Sequence, residues 1–184
     1  MPLGAEFASV LAGAQAGEER AWAALYDELA GPLLRYLRAR GAREADDLVG
    51  EVFVQLARGL GRFRGDEGAL RGWAFLIARN RLLDEFRHGR RHPVEPLDDV
   101  NDALVARGDV EGEALARLGS ARLRRLLDTL TPDQRDVLLL RIVGDLSFEQ
   151  TAATLGKRVG AVTQLQRRAL AALRRELEQE GVSA

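Results

Sequence analysis

Residues 145–175, DLSFEQTAATLGKRVGAVTQLQRRALAALRR, contain the clearest structural signal in the chain. Ser147 and Gln150 have the spacing of a capping box, which starts a helix by satisfying two free backbone N–H groups. Gly156 is suited to end that helix, because glycine adopts the left-handed conformation at little cost. A second, longer and basic helix follows from about residue 159 to beyond residue 173. Two helices joined by a tight glycine turn predict a helix-turn-helix.

The second helix of this motif has two different sides. Its apolar residues recur at three- and four-residue steps and predict a buried back: Val162, Leu165, Ala169 and Leu173. The polar residues between them form two outward columns: Thr163 with Arg167, and Gln164 with Arg168. An apolar back and a polar front are what a helix needs to enter a DNA major groove. Lys157 and Arg158, in the turn, are suited to contact phosphates. The alternative is an ordinary helical hairpin with a solvated basic face, since similar hairpins are common.

The charge is strongly segregated along the chain. The formal net charge of the 184 residues is −1, which by itself does not suggest a nucleic-acid partner. Residues 95–113, however, hold seven acidic residues and one arginine, whereas residues 157–175 hold six basic residues and no acid. The near-neutral total therefore hides a basic surface, which attracts phosphate, and an acidic segment. The Leu-, Ala- and Val-rich composition, with 5% aromatic residues, favours helices over sheets.

Several kinds of chemistry find no support in the sequence. The chain has no cysteine, which excludes disulfides and thiolate chemistry. His88 and His92 are four residues apart, but the intervening Gly89 and the following Pro93 argue against a regular helix that would hold a metal. We expect no cofactor, no bound metal and no enzymatic activity. No apolar run is long enough to span a membrane, and the N-terminus lacks a basic leader, so we expect a soluble cytoplasmic protein.

The N-terminal half reads as a series of amphipathic helices. One covers residues 18–30, and Gly31-Pro32 is expected to interrupt it and begin a second helix that ends at Gly41, with Arg35, Arg38 and Arg40 on its outer side. A third covers residues 44–60, with a buried stripe of Leu48, Val49, Val52, Phe53, Leu56 and Leu60. A glycine-punctuated loop, 61–68, precedes a long helix over about 69–88. Whether Trp73 and Phe75 on this helix pack in the core or face a ligand is left open by the pattern.

The C-terminal half follows a linker. Residues 93–113 carry two prolines and many acids, which is typical of a flexible tether. A helix is predicted to resume at about residue 114, and Thr131, Pro132 and Gln134 predict the start of another, which runs to about residue 143. The sequence thus predicts an all-α protein with two small helical domains, residues 15–91 and 114–180, joined by an acidic linker, residues 92–113.

Four further segments, together with the helix-turn-helix, resemble the extracytoplasmic-function (ECF) group of bacterial sigma factors, which keep only regions 2 and 4 of the sigma-70 family. They are DDLVGEVF at Asp46–Phe53, FRGD at Phe63–Asp66, WAFLIARN at Trp73–Asn80 and LTPDQRDVLLLR at Leu130–Arg141. The resemblance covers nearly the whole chain in the order and spacing of that family.

The resemblance implies a function for each domain. Residues 15–91 would form region 2, a helical bundle that binds core RNA polymerase and melts the −10 promoter element. Residues 114–180 would form region 4, which binds the −35 element through its helix-turn-helix and also contacts the polymerase flap. An anti-sigma factor that wedges between the domains or wraps around them is expected as a regulatory partner.

The resemblance also implies site residues. Those expected to bind core polymerase lie on the third helix: Asp47, Leu48, Glu51 and Gln55. Those expected at the −10 element lie in the 61–68 loop and on the long helix after it: Phe63, Arg64, Asp66, Arg71, Trp73, Arg79, Asn80, Arg81 and Arg87. Those expected at the −35 element lie in the helix-turn-helix: Lys157, Arg158, Thr163, Gln164, Arg167 and Arg168.

This sequence departs from the usual family pattern at a few positions. Gly50 stands where glutamine is common, Thr163 where lysine or arginine is common, and Leu165-Gln166 where arginine and leucine are common. The departure at Gly50 predicts that one polar contact of the polymerase-binding ridge is missing. The departures at Thr163 and Leu165-Gln166 predict a promoter preference that differs from the common one.

Two other readings compete with the sigma factor. One is a stand-alone helix-turn-helix regulator whose N-terminal helices dimerise or sense a ligand. The other is a structural helical adaptor, which would leave the segregated charge unexplained. A sensing domain has no need of an acidic ridge followed by a basic, aromatic-bearing helix, which are the features found at 46–80.

Overall fold

The computed structural model describes residues 3–91, 122–179 and 181, and within these ranges it contains helices and no strands. The all-α prediction is therefore confirmed. A single 3-10 turn, Gly4–Glu6, precedes the helices. They are α1 (Phe7–Gln15), α2 (Glu19–Ala39), α3 (Ala45–Leu60), α4 (Glu67–Arg91), α5 (122–128), α6 (Pro132–Ile142), α7 (Phe148–Leu155) and α8 (Val159–Gln179). The predicted linker at 92–113 and the predicted helix start near 114 lie outside the described residues.

Both predicted capping boxes are present. At the start of α6, the Gln134 amide donates to Thr131 Oγ1 at 3.4 Å, and the Thr131 amide donates to Gln134 Oε1 at 3.0 Å. At the start of α7, the corresponding distances between Ser147 and Gln150 are 3.1 Å and 2.7 Å. Gly156 ends α7 in the left-handed conformation, with a φ of +62°. These local signals fix where the helix-turn-helix begins and turns.

The predicted break at Gly31-Pro32 is wrong, because α2 runs without interruption through Pro32. A proline inside a helix removes one backbone hydrogen bond and crowds the preceding turn, which costs about 3 kcal/mol. Continuing the helix keeps Leu29, Leu33 and Leu37 on one buried face, each at most 3% exposed. Burying a leucine side chain contributes about 1.5–3 kcal/mol, so the shared face offsets the cost of the proline.

Helix α1 has no counterpart among the predicted elements. On one side of α1, Phe7 and Ala14 are buried. The Trp22 indole N–H donates to the Ala14 carbonyl at 3.0 Å. The Gln15 side-chain amide donates to the carbonyls of Leu60 and Phe63, at 2.9 Å and 3.0 Å. The helix therefore covers the end of α3 and supports the loop that follows it.

Helices α1 to α4 form the N-terminal bundle, and its core contains most of the predicted α3 stripe. Leu48, Val49, Val52, Leu56 and Leu60 are buried, whereas Phe53 is half-buried and packs against Tyr26. Helix α4 begins at Glu67, about two residues earlier than predicted, because Asp66 Oδ1 accepts the Ala69 amide at 2.7 Å. An aspartate in this position satisfies one of the free N–H groups of the first turn.

The N-terminal bundle and the C-terminal helices pack against each other, with α4 next to α7 and α2 next to α6. Gly68 and Gly72 of α4 face Gln150, and Thr154 Oγ1 of α7 lies 3.5 Å from the Gly72 carbonyl oxygen. Gly144, after α6, approaches the buried ring of Phe75. Small residues on both sides of this interface allow the two halves to approach closely.

Candidate nucleic-acid and polymerase interfaces

Helix α8 has the two-sided character that its sequence predicts. Val162 and Ala169 are fully buried, and Leu165 and Leu173 pack at the edge of the core. The opposite side, which we call the α8 front, consists of Thr163, Gln164, Arg167 and Arg168. Gln164 and both arginines are exposed, and Thr163 is half-buried. The Thr163 hydroxyl donates to the Val159 carbonyl at 3.1 Å, so it keeps only its lone pairs for a further partner.

The turn before α8 carries two basic side chains, of which one is paired with a carboxylate and the other is exposed. Lys157 Nζ lies 2.8 Å from Asp133 Oδ2 and so links the turn to the first turn of α6. Arg158 is exposed. Partly exposed ion pairs contribute little, so a phosphate can displace Asp133 from Lys157 at small cost.

The residues predicted to contact polymerase lie on α3. Asp47, Glu51 and Gln55 are exposed and form what we call the polar ridge, whereas Leu48 is buried at 7% exposure. The side chain of Leu48 therefore supports α3 from the core. Arg81 of α4 reaches the ridge: it donates to Gln55 Oε1 at 3.0 Å, and its Nε lies 3.4 Å from Glu51 Oε2. This arginine, predicted at the −10 element, thus partly neutralises the ridge.

The loop before α4 is built around two stacked aromatic rings. Phe63 and Trp73 are parallel to within 4°, with centroids 5.6 Å apart. Gly59 leaves room for the Trp73 indole, because a Cβ at this position would lie 2.6 Å from a Trp73 ring carbon. Both rings are half-buried, so Trp73 packs at the edge of the core and keeps part of its surface in solvent. Phe75, by contrast, is fully buried, edge-on to Tyr36 at 5.5 Å.

Two polar side chains predicted to meet the −10 element shape this loop. Arg64 is exposed, and its guanidinium donates to the carbonyls of Phe63 and Gly61 at 2.7 Å and 3.3 Å. Asp66 is exposed and caps α4 through the Ala69 amide. The shape of the loop is therefore fixed by hydrogen bonds within the chain.

The remaining predicted −10 residues of α4 differ in accessibility. Asn80 is exposed, and Arg87 is exposed and paired with Asp84 at 2.9 Å. Arg71 is 7% exposed and lies between Glu28 and Glu67, so its guanidinium stabilises the interior of the bundle. Arg79 is partly exposed and turned toward Asp136 of α6. Among the four arginines of α4 that were predicted at the −10 element, Arg87 is therefore the most exposed and Arg71 the most buried.

A polar cluster that sequence reasoning missed lies between the two halves. Asp136 is 2% exposed, and it accepts a hydrogen bond from the Tyr36 hydroxyl at 3.1 Å and from Arg79 Nε at 3.3 Å. Arg40 Nε lies 2.6 Å from Asp136 Oδ1, in an ion pair without hydrogen-bond alignment. We call these four residues the Asp136 cluster. The prediction that Arg40 is on the outer side is wrong, since its side chain is 8% exposed.

The cluster changes the chemistry of Tyr36. Burial, reinforced by the charge of Asp136, raises the pKa of the Tyr36 phenol above its ordinary value. The phenol therefore stays protonated and able to donate. One sequence signal could have revealed the cluster: Asp136 lies immediately before four consecutive buried apolar residues, Val137 to Leu140.

The described residues contain no group of three or more His, Asp or Glu side chains that could hold a metal ion. His88 is exposed, with Nδ1 2.7 Å from the Asp84 carbonyl oxygen, and His92 lies outside the described residues. Among the described helices, none is long and apolar enough to cross a membrane.

The described residues are helical, and α7, the glycine turn and α8 form a helix-turn-helix whose second helix has an exposed polar side. These features define the helix-turn-helix class of proteins. Comparison with known proteins narrows this class. The chain matches the family models of sigma-70 region 2 over residues 23–92 and sigma-70 region 4 over residues 120–173.

The chain is also similar in sequence to named sigma factors. The chain is 34% identical to the ECF RNA polymerase sigma factor BldN of Streptomyces coelicolor, over 89% of this chain and 63% of BldN. It is 31% identical to the ECF RNA polymerase sigma factor SigD of Mycobacterium tuberculosis, over 94% of this chain and 84% of SigD. The chain thus spans less than two thirds of the length of BldN and most of the length of SigD.

Solved structures share the fold. The structure of CnrH in complex with the cytosolic domain of CnrY superposes with a TM-score of 0.67 and 28% identity, covering 92% of this chain and 96% of CnrH. The sigma factor RpoE of Bartonella quintana, in complex with the anti-sigma factor NepR, superposes with a TM-score of 0.60 and 21% identity, covering 79% and 89% of the two chains. The chain belongs to the sigma-70 family, in its ECF group of transcription initiation factors.

Proposed function

We propose that this chain binds core RNA polymerase and directs transcription from promoters that carry −35 and −10 elements. Residues 15–91 act as region 2 and residues 114–180 as region 4. The observation that carries the proposal is the α8 front: exposed polar side chains stand over a fully buried back formed by Val162 and Ala169. Family membership supplies the rest, because regions 2 and 4 occur together in one chain.

At the −35 element, α8 enters the major groove. Gln164 and Arg167 read base edges, since an amide and a guanidinium can each form paired hydrogen bonds with a base. Arg168, Arg158 and Lys157 contact the phosphates and set the register. Thr163 adds a methyl group and an acceptor, where a longer basic side chain would add a donor.

At the −10 element, α4 and the loop before it hold the unpaired strand. The half-exposed surface of the Phe63–Trp73 stack offers an aromatic face to an unstacked base. Arg64 and Asp66 keep the loop in shape beside it, while Asn80 and Arg87 face solvent and contact the backbone or base edges. Arg71 is left out of this role, because it is enclosed by two carboxylates.

Core polymerase binds the polar ridge of α3. Asp47, Glu51 and Gln55 are exposed with a spacing of four residues, so they form one continuous acidic and polar strip. Arg81 lies against the ridge and sets its orientation. The phosphodiester chemistry belongs to the polymerase, and this chain supplies no catalytic group.

An anti-sigma factor controls the protein in this account, and both act in the cytoplasm, where the chromosome is transcribed. Support comes from the sigma factor RpoE, which shares the fold and was solved with the anti-sigma factor NepR. CnrH, which matches over 92% of this chain, was likewise solved with a partner, the cytosolic domain of CnrY. Affinity purification of the chain from uninduced cells of its source should recover a second protein that prevents initiation in vitro. Recovery of polymerase subunits alone would contradict this part of the proposal.

The function is tested by transcription in vitro from sheared genomic DNA with core polymerase, with and without the chain, followed by mapping of RNA 5′ ends. The expected result is a set of start sites that need the chain and share two spaced upstream elements. A stand-alone regulator would instead bind duplex DNA without polymerase and produce no start sites with core enzyme. The latter outcome would contradict the proposed function.

A further inference from the structure

The loop between α3 and α4, residues 61–66, is tied at its start to the end of α1. The Gln15 side-chain amide donates to the carbonyl of Leu60, the last residue of α3, at 2.9 Å and to the carbonyl of Phe63 at 3.0 Å. A primary amide carries two N–H donors on one nitrogen, and the two carbonyls match them. Leu60 belongs to the last turn of α3, where carbonyls lack helical partners. One side chain therefore caps α3 and also fixes the backbone of the loop.

The end of the loop is tied to the same N-terminal segment, residues 3–15. The backbone amides of Leu3 and Gly4 donate to the two carboxylate oxygens of Glu67, the first residue of α4, at 2.9 Å and 2.8 Å. The match to the region 2 family model begins only at residue 23. The donors at both ends of the loop therefore lie outside the part of the chain that the region 2 model covers.

The residues of the loop themselves supply little that would keep it ordered. Gly61 and Gly65 are among them, and glycine loses more conformational freedom on ordering than any other residue. All of the residues from 61 to 66 except Phe63 are exposed, so few buried apolar contacts offset that loss. The hydrogen bonds from Gln15 therefore provide order that the loop lacks on its own.

The bond from Gln15 to Phe63 acts on the proposed −10 site, because it fixes the backbone of one ring of the Phe63–Trp73 stack. The Phe63 carbonyl also accepts from the Arg64 guanidinium at 2.7 Å. Arg64 is exposed and is expected at the −10 element, where a DNA phosphate would compete with the carbonyl for its charged donors. Gln15 is neutral and half-buried, so its bond to the carbonyl remains when Arg64 turns to DNA.

We propose that Gln15 is a positioning residue for recognition of the −10 element. It holds the Phe63 carbonyl, and through it the Phe63 ring stacked on Trp73, in the place where an unpaired base is received. The inference rests on the proposed function. It adds that the N-terminal segment belongs to the −10 site, and that Gln15 acts on DNA only through Phe63.

Two variants of Gln15 test its donors. Gln15→Glu keeps the length of the side chain, but its carboxylate donates no hydrogen bond and places a negative charge beside two carbonyl oxygens. Gln15→Ala removes the donors without adding a charge, so it tests the same expectation if Gln15→Glu does not fold. The matched control is Trp22→Phe, which removes the indole N–H bond to the Ala14 carbonyl at the same end of α1 and leaves the donors to the loop in place.

The measurement is the contribution of single −10 bases to binding. Core polymerase with the chain is bound to promoter DNA that is duplex at the −35 element and single-stranded at the −10 element, with each −10 base replaced in turn by an abasic site. The promoter is one whose start site has been mapped with the wild-type chain. With the wild-type chain, the abasic site at one position should weaken binding about tenfold or more, as expected for a base stacked on an aromatic ring. With either Gln15 variant, the loss at that position should fall to about threefold or less.

A general loss of stability cannot imitate this result, because it weakens binding to intact and abasic DNA alike and leaves their ratio unchanged. An unchanged ratio in the Gln15 variants would overturn the inference, and so would an equal fall in the ratio with Trp22→Phe. A wild-type chain that directs initiation but shows no sensitive −10 position would also overturn it. Failure of the proposed function gives a different result, because the wild-type chain would then direct no initiation at all.

Discussion

Arg167 is the single side chain on which recognition of the −35 element should depend most. It is exposed at the centre of the α8 front, one turn from Thr163, whose hydroxyl is already engaged. We expect Arg167→Ala to weaken binding to the cognate −35 duplex by about 1–3 kcal/mol, the value of one bidentate base contact. Competition binding against a duplex with a scrambled −35 element measures the loss.

The control for this prediction is Arg174→Ala. Arg174 is also exposed on α8, two turns further from the glycine turn. Removal of a phosphate contact alone lowers affinity for all sequences alike. Equal losses on the cognate and scrambled duplexes with Arg167→Ala would therefore show that this arginine does not read bases.

Tyr36 gives the contact between the two halves a dependence on alkaline pH. The pKa of its phenol is raised while it is buried against Asp136, so the stabilisation it provides is complete below the ordinary phenol pKa of about 10 and declines as the pH rises above that value. Each pH unit above about 10 should weaken the contact by up to about 1.4 kcal/mol. Energy transfer between dyes on Asp27→Cys and Glu178→Cys, exposed positions on α2 and α8, measures this decline when it is recorded between pH 8 and pH 11.

Few other groups can interfere with that measurement. Asp136, Arg40 and Arg79 are the charged groups that surround the phenol. Lys157 is the only lysine in the chain, and Tyr26 is the only other tyrosine. Tyr36→Phe should weaken the contact between the halves at every pH and lose the alkaline step. A step of the same size in this variant would assign the titration to another group.

At the scale of one helix, replacing either of two glycines of α3 by alanine should change the free energy of unfolding in opposite directions. Nothing lies within 4 Å of a Cβ placed on Gly50, whereas a Cβ on Gly59 would lie 2.6 Å from the Trp73 ring. Gly50→Ala should raise the free energy of unfolding by about 0.5–1 kcal/mol, because alanine favours a helix interior. Gly59→Ala should lower it by about 1–3 kcal/mol, because the indole must move.

Urea unfolding of both variants tests the pair. Gly50 also lies beside the polar ridge, so its alanine variant should keep its affinity for core polymerase. The Gly59→Ala variant should in addition disturb the Phe63–Trp73 stack and slow promoter melting. Equal stabilisation of both variants would contradict the packing at Gly59.

Most elements could be predicted because their signals are local. The capping residues Thr131 and Ser147 and the terminating Gly156 act on the backbone within a few residues, so sequence alone placed α6, α7 and α8. The break predicted at Pro32 failed because the burial of Leu33 and Leu37, a tertiary effect, outweighs the local cost of proline. Helix α1 was not predicted for a related reason. It is stabilised by hydrogen bonds that Gln15 and Ala14 form with other elements, and these contacts leave no local signal in the sequence.

The candidate sites likewise differ in whether local sequence patterns could predict them. The exposed ridge and the α8 front follow from helical periodicity, so both could be placed from the sequence. The enclosure of Arg71 and the Asp136 cluster could not, because they join residues 43 and 100 positions apart in the chain. Local patterns identify which side of a helix is polar, but only the folded chain shows which polar groups are paired across elements.

At the scale of the whole molecule, the proposed function requires a single promoter to engage two parts of one chain together. The α8 front lies in the C-terminal half, and the Phe63–Trp73 stack with Asn80 lies in the N-terminal half. The Asp136 cluster joins the halves in the free chain. The two parts proposed to meet DNA are thus connected through a buried polar contact as well as through the chain.

The most direct test of this account is a footprint on a promoter whose start site has been mapped with this chain. Core polymerase with the chain should protect the −35 element and make thymines of the −10 element reactive to permanganate, because those bases become unpaired. Core polymerase alone, and the chain alone, should do neither. Protection of the duplex by the chain alone, with no reactive thymine after polymerase is added, would contradict the account and identify a stand-alone DNA-binding regulator.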